Sequence, residues 1–161
     1  MKHDMQRQKS IQKGQYMRLV VMVVLSFVAM YILMYAMVNR LENVVPNLNQ
    51  FYMAGLMAMP MVVIELVLMG SMYENKRLNL LLVAAGAITG VAFWVLIRQQ
   101  AGITDRQFLK SMIPHHGGAI LMCEQSKSRD PQILRLCNEI ITSQRSEIAQ
   151  MKSMLAARDK Q

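Results

Sequence analysis

The chain has 161 residues, 53% of them hydrophobic and only 17% charged, with 17 methionines and a formal net charge of +8. So much apolar residue with so little charge excludes a single soluble core. The positive balance is no basic patch: from Arg98 onward ten bases face six acids, spread along the chain, which argues against a nucleic-acid partner.

Residues 1–18 read as a basic cytoplasmic tail lying on a surface. Lys2, Arg7, Lys9, Lys13 and Arg18 stand against one acid, Asp4. His3 and Met5 are metal-donor types, but a tail histidine is ordinarily just solvated. Three apolar blocks follow, at 19–38, 51–73 and 78–97: the first is interrupted only by Ser26, the second contains one charge, Glu65, and the third contains none. Each is long enough to cross about 30 Å of hydrocarbon as a helix. The first is too long for a signal-peptide core and reads as a retained anchor.

The basic tail and the Lys76-Arg77 turn place the N-terminus inside, which puts residues 98–161 outside the cytoplasmic membrane. The ten bases after the last span leave the opposite orientation as the alternative. Methionines recur in steps of four at Met53, Met57 and Met61. Such a ladder drifts about 40° per step, so it winds around a helix and lines no single wall. Glu65 is an intramembrane carboxylate, costing about 2.5–3.5 kcal/mol to insert. It is expected protonated and bonded to a neighbouring helix, through Thr89 or Ser26. Pro60 should kink the second span. Gly86 and Gly90, four apart, suit close helix packing.

Residues 98–161 read as a helical hairpin. Thr104 and Gln107 resemble a capping box opening a helix at Asp105. Pro114, Gly117 and Gly118 weaken that helix, which is tolerable where another backbone or a ligand comes close. Residues 126–130 form the turn. Asp130 and Pro131 start a second helix that runs to about Arg158.

On the first helix, at about 100° per residue, Met112, His115, His116, Ala119 and Cys123 share one sector, with Met122 at its edge. Imidazole, thioether and thiol together suit a soft metal, above all Cu(I). A methionine stripe at this spacing also has a plainer meaning, an apolar face in a core. Gln144, Glu147, Ile148 and Met151 form one face of the second helix. Opposing Cys123 and Cys137 across the turn offsets the arms by only a few residues. That register sets His116 opposite Gln144 and Met112 opposite Ile148, with Glu147 a residue away from the latter. Outside the cytoplasm a Cys123–Cys137 disulfide is reasonable, and two small buried hydrophobes are the alternative.

One resemblance rests on these residues. The run Phe108, Leu109, Met112, Ile113, His115, His116, Gly118, Ala119, Ile120, Met122, then Ile140, Ile141, Gln144, Glu147, Ile148, Met151, resembles the family known as domain of unknown function 305. Gly117 departs from it, standing where the family has Gln. The resemblance covers about Asp105 to Leu155. It implies half of a ferritin-like helical bundle and, in some members, copper held by Met and His.

The expectation is therefore an all-α chain with three transmembrane helices and an extracytoplasmic hairpin. It would bind copper, as Cu(I), through His115, His116, Met112 and Met151, with Met122 a further donor. Glu147 and Gln144 would orient an imidazole. Two helices alone bury little, so a homodimer or higher homo-oligomer should complete the bundle. The rival is a structural protein whose hairpin only mediates oligomerisation. An enzyme is disfavoured: there is no Glu-x-x-His pair of the di-iron type and no nucleophile beside a base.

Overall fold

The computed structural model describes residues 2–158, with side chains from Gln12 onward. The side chains of His3 and Met5 lie outside the described residues. The elements are α1 (Lys2–Leu33), two 3-10 turns (Met34–Met37 and Leu41–Asn43), α2 (Leu48–Leu68), α3 (Lys76–Gln99), α4 (Asp105–Glu124) and α5 (Pro131–Arg158). Among the described residues there is no strand. Three segments are long and apolar enough to cross a membrane: Gln12–Met37, Leu48–Leu68 and Lys76–Gln99.

The boundaries differ from the sequence expectation for local reasons. Residues 2–18 are helical and continuous with the first span in α1. The second span starts earlier because Asn47 caps it, its Oδ1 accepting from Gln50 N at 2.9 Å. It ends at Leu68 and not at 73, in a turn holding Gly70. Asn75 caps α3 by accepting from Leu78 N at 3.0 Å. Gln100, in the left-handed region at φ 49°, closes it. Both α2 and α4 run on through their prolines, Pro60 and Pro114.

The chain divides into two compact units, Met1–Ile32 with Phe51–Ala101, and Leu33–Gln50 with Gly102–Gln161. In the first unit α2 is central: a third of its apolar window is buried, against 6% for α1 and α3. Leu19, Val62, Leu66 and Tyr73 form its core. Small residues set the α2–α3 spacing. A Cβ on Gly55 would fall 2.5 Å from the Phe93 ring, and one on Gly86 would meet Val62 at 3.6 Å. Gly86 and Gly90 therefore pack within this chain. Met22 packs on the core, while Met37, Met53 and Met57 are exposed, so the methionines share no wall.

Glu65 is not at mid-span. It lies three residues from the end of α2, and its Oε1 accepts from Tyr73 Oη at 3.2 Å. Tyr73, beyond the helix end, takes the place expected for Thr89 or Ser26. A carboxyl one turn from a helix end escapes most of the cost of a mid-membrane charge.

In the second unit α4 and α5 form the hairpin. Leu109, Ile113 and Ile120 of α4 pack on Ile148 and Met151 of α5. Val45, from the α1–α2 connection, joins them. That connection is the third wall: Gln107 Oε1 accepts from Leu48 N at 3.0 Å, and Asn49 Nδ2 donates to Ser111 Oγ at 3.2 Å. Gln107 is thus drawn away from the reciprocal half of its capping box, and Thr104 alone caps α4, accepting from Gln107 N at 3.4 Å. Asp130 caps α5 as its sequence position predicts, accepting from Gln132 N at 2.7 Å.

Candidate functional site

His115 and His116 are neighbours in sequence and opposites in environment. The 100° step of the helix turns His116 into the α4–α5 seam, where it is 7% exposed, and leaves His115 on the outside. His116 Nδ1 lies 2.9 Å from Met112 O, and Nε2 lies 2.7 Å from Glu147 Oε2. A backbone carbonyl only accepts, so Nδ1 carries a hydrogen. Both ring nitrogens are thus engaged, Nδ1 by a backbone carbonyl and Nε2 by the Glu147 carboxyl group.

Glu147 is fixed from a second side, its Oε1 accepting from the Ser143 hydroxyl one turn back. The Ser143 hydroxyl and then the His116 hydrogen bond hold its carboxyl below the usual carboxylate range, against a smaller opposing effect of burial. Gln144 does not share in the clasp: its Oε1 is buried without a hydrogen-bond partner. Two exposed ion pairs frame the hairpin, Arg145–Glu124 at 2.6 Å and Arg158–Asp105 at 3.1 Å. Such pairs contribute little stability singly.

The other candidate ligands separate in the same way. Met151 is 8% exposed and belongs to the hydrophobic core. Met112 is half-buried at the edge of that core. Met122 is 58% exposed. Phe108, His115 and Met122, seven residues apart, run in one line along the outside of α4, and all three are exposed. His115 makes no hydrogen bond among the described residues and meets the His116 ring edge-on, 6.0 Å between centroids. Among the described residues no three His, Cys, Asp or Glu side chains converge to hold a metal ion. Any metal donor set here would therefore lean on thioethers.

The two glycines owe their place to the protein's own chain. A Cβ at Gly117 would sit 2.9 Å from Asn39 Oδ1 and 3.1 Å from Val38 Cγ1, and one at Gly118 would sit 3.5 Å from Met37 O. The connection between the first two apolar helices thus closes on the back of α4. Asn39 and Asn43 are joined there by a 2.8 Å hydrogen bond, and Asn43 is 3% exposed. Sequence reasoning missed Ser143 and these asparagines. Their signal was present: four asparagines within 39–49 are unusual in a mere link between two spans.

Cys123 and Cys137 meet across the hairpin as free thiols. A hydrogen bond between them, then burial, pushes the Cys123 thiol up to about 11. The register deduced from the turn brings the two sulfurs together; a bond between them is not formed here.

Comparison with known proteins extends these observations beyond the hairpin. An uncharacterized protein of Acanthamoeba polyphaga mimivirus is 38% identical over 144 residues, 87% of this chain and 92% of that one. A match of that length takes in most of the spanning region as well as the hairpin. No solved structure matches the chain. The family profile matches residues 65–159, and so begins at Glu65 and includes α3 in addition to the paired helices. The chain belongs to the family described as domain of unknown function 305.

Proposed function

We propose that this chain is a membrane-anchored metal-binding protein that takes copper, as Cu(I), on the outer face of α4. The observation that carries the reading is the free, exposed imidazole of His115 on a thioether-bearing face. Met112 lies one turn before it, a spacing that puts side chains about 5–6 Å apart at Cβ. One imidazole and one thioether make half of a Cu(I) donor set, and Met122 of a second copy supplies a third soft donor. His116, Glu147 and Ser143 then serve differently, locking the register of α4 on α5 and so fixing where His115 points. The positive-inside distribution of bases supports a hairpin outside the cytoplasmic membrane, and its proposed task there is copper handling or tolerance.

The exposed apolar side chains Phe108, Met122 and Leu136 favour a second reading, in which the hairpin serves only to join copies of the chain. Copper titration of the full-length protein in detergent separates the two. His115→Ala should lose copper while remaining folded and oligomeric. His116→Gln should retain copper if it folds. Equal binding by wild type and His115→Ala would sink the site, and absence of binding in an oligomeric wild type would establish the joining role.

A further inference from the structure

A second site lies behind the hairpin. A cavity of about 290 Å³ opens between the Arg40–Asn43 stretch and α5, and none of its lining residues belongs to the proposed copper face. It sits at the lower end of the roughly 300–1,000 Å³ range of small-ligand sites. Three cations line it, Arg40, Arg145 and Lys152, against one carboxylate, Glu42. Arg40 lies 3.6 Å from Glu42, and Arg145 is paired with Glu124. Lys152 is half-buried and has neither ion pair nor hydrogen bond among the described residues. A partly desolvated ammonium without an acceptor is unfavourable until an anion joins it. Asn43, in the same wall, is buried with its Oδ1 unpartnered, an acceptor that a hydroxyl beside the anion, and not the anion itself, would satisfy. The apolar wall of Ile148 lowers the local dielectric and strengthens any ion pair formed beside it.

Chain connectivity says where such an anion comes from. Arg40 and Asn43 belong to a ten-residue stretch between two apolar helices, one ending at Met37 and the next starting at Leu48. A link tethered at both ends reaches at most about 3.3–3.6 Å per residue from either span, which holds it at the level of the lipid headgroups. We propose that this cavity binds a phosphate ester, with Lys152 as the free charge and Arg145 and Arg40 as forked donors. A phospholipid headgroup and a soluble phosphate ester share this chemistry; the tethering favours the lipid.

The test uses the full-length protein in a neutral, phosphate-free detergent, with native mass spectrometry. Dioleoyl phosphatidylglycerol, glycerol phosphate and uncharged dioleoylglycerol are offered in turn. One phosphatidylglycerol should be retained per chain and no dioleoylglycerol. Lys152→Gln should weaken retention about tenfold or more, the value of one charge-assisted hydrogen bond. Lys152→Arg should largely preserve it, and Arg135→Gln, elsewhere on α5, should leave it unchanged. Arg40→Gln gives an independent loss should Lys152→Gln not fold. Binding of glycerol phosphate in place of the lipid would keep the site and assign it a soluble ester. Failure of both ligands to bind, or equal binding by wild type, Lys152→Gln and Arg40→Gln, would overturn the proposal.

Discussion

The two long faces of α4 are built on opposite terms. The inner face carries Leu109, Ile113, His116 and Ile120, all buried and all with a defined partner on α5 or the connection. The outer face carries Phe108, His115 and Met122, exposed and without such partners. One histidine dipeptide supplies a residue to each. The difference teaches that a histidine's chemistry is assigned by its neighbours: the same imidazole is a doubly bonded clasp on one face and an open donor on the other.

The comparison breaks most severely at the inner face. Ile113 is fully buried, so Ile113→Ala should cost about 3 kcal/mol and lower the thermal midpoint in detergent by several degrees. His116→Ala should cost about 2 kcal/mol, because it removes a buried ring and its hydrogen bonds to Met112 O and Glu147. His115→Ala should stay within about 0.5 kcal/mol of wild type in the same melt. A His115→Ala loss equal to that of His116→Ala would erase the distinction between the faces.

A smaller effect is read in pH. The folded value of Glu147 lies below its unfolded one. Its stabilisation is therefore present above the ordinary carboxylate value of about 4.3 and is lost as pH falls through and below it. Glu147→Gln should flatten the fall of the thermal midpoint below about pH 5. An unchanged slope in that variant would remove Glu147 from the clasp.

The smallest perturbation concerns the thiols at the open end of the same seam. If the hairpin lies outside the cytoplasm, Cys123 and Cys137 should resist alkylation in denatured, unreduced membranes and label after reductant is added. Full labelling without reductant would leave them as the thiol pair the structure contains. A reporter fused after Gln161, active only outside the cytoplasm, checks the orientation on which that expectation rests.

Much of the architecture was legible because it depends on local or periodic properties. Apolar runs about 20 residues long specify spans whatever they pack against. Asp130 and Pro131 specify a helix start through their own backbone chemistry. The short turn before Asp130 set the register that brings Cys123 to Cys137, since a few loop residues leave little freedom of offset; it set His116 opposite Gln144, whereas the structure pairs that ring with Glu147, one turn further on. Membership of the family was legible for the same reason: His115, His116, Gln144, Glu147 and Met151 stand at spacings that helix geometry makes meaningful.

What only the tertiary structure decided is which of two compatible partners each polar group takes. Helical periodicity places Met112, His115 and His116 in one sector about 100° wide, and a sector of that width spans both a buried seam and an open flank. It cannot say that the Met112 carbonyl and the Glu147 carboxylate occupy both nitrogens of His116. Nor does it show that Gly117 and Gly118 make room for Asn39 and Met37, about 80 residues earlier in the chain. Glu65 shows the same limit: composition placed it among apolar residues, but the end of α2 at Leu68 brought it to Tyr73. Each of these outcomes depends on contacts between distant segments, and those form only when the chain closes on itself.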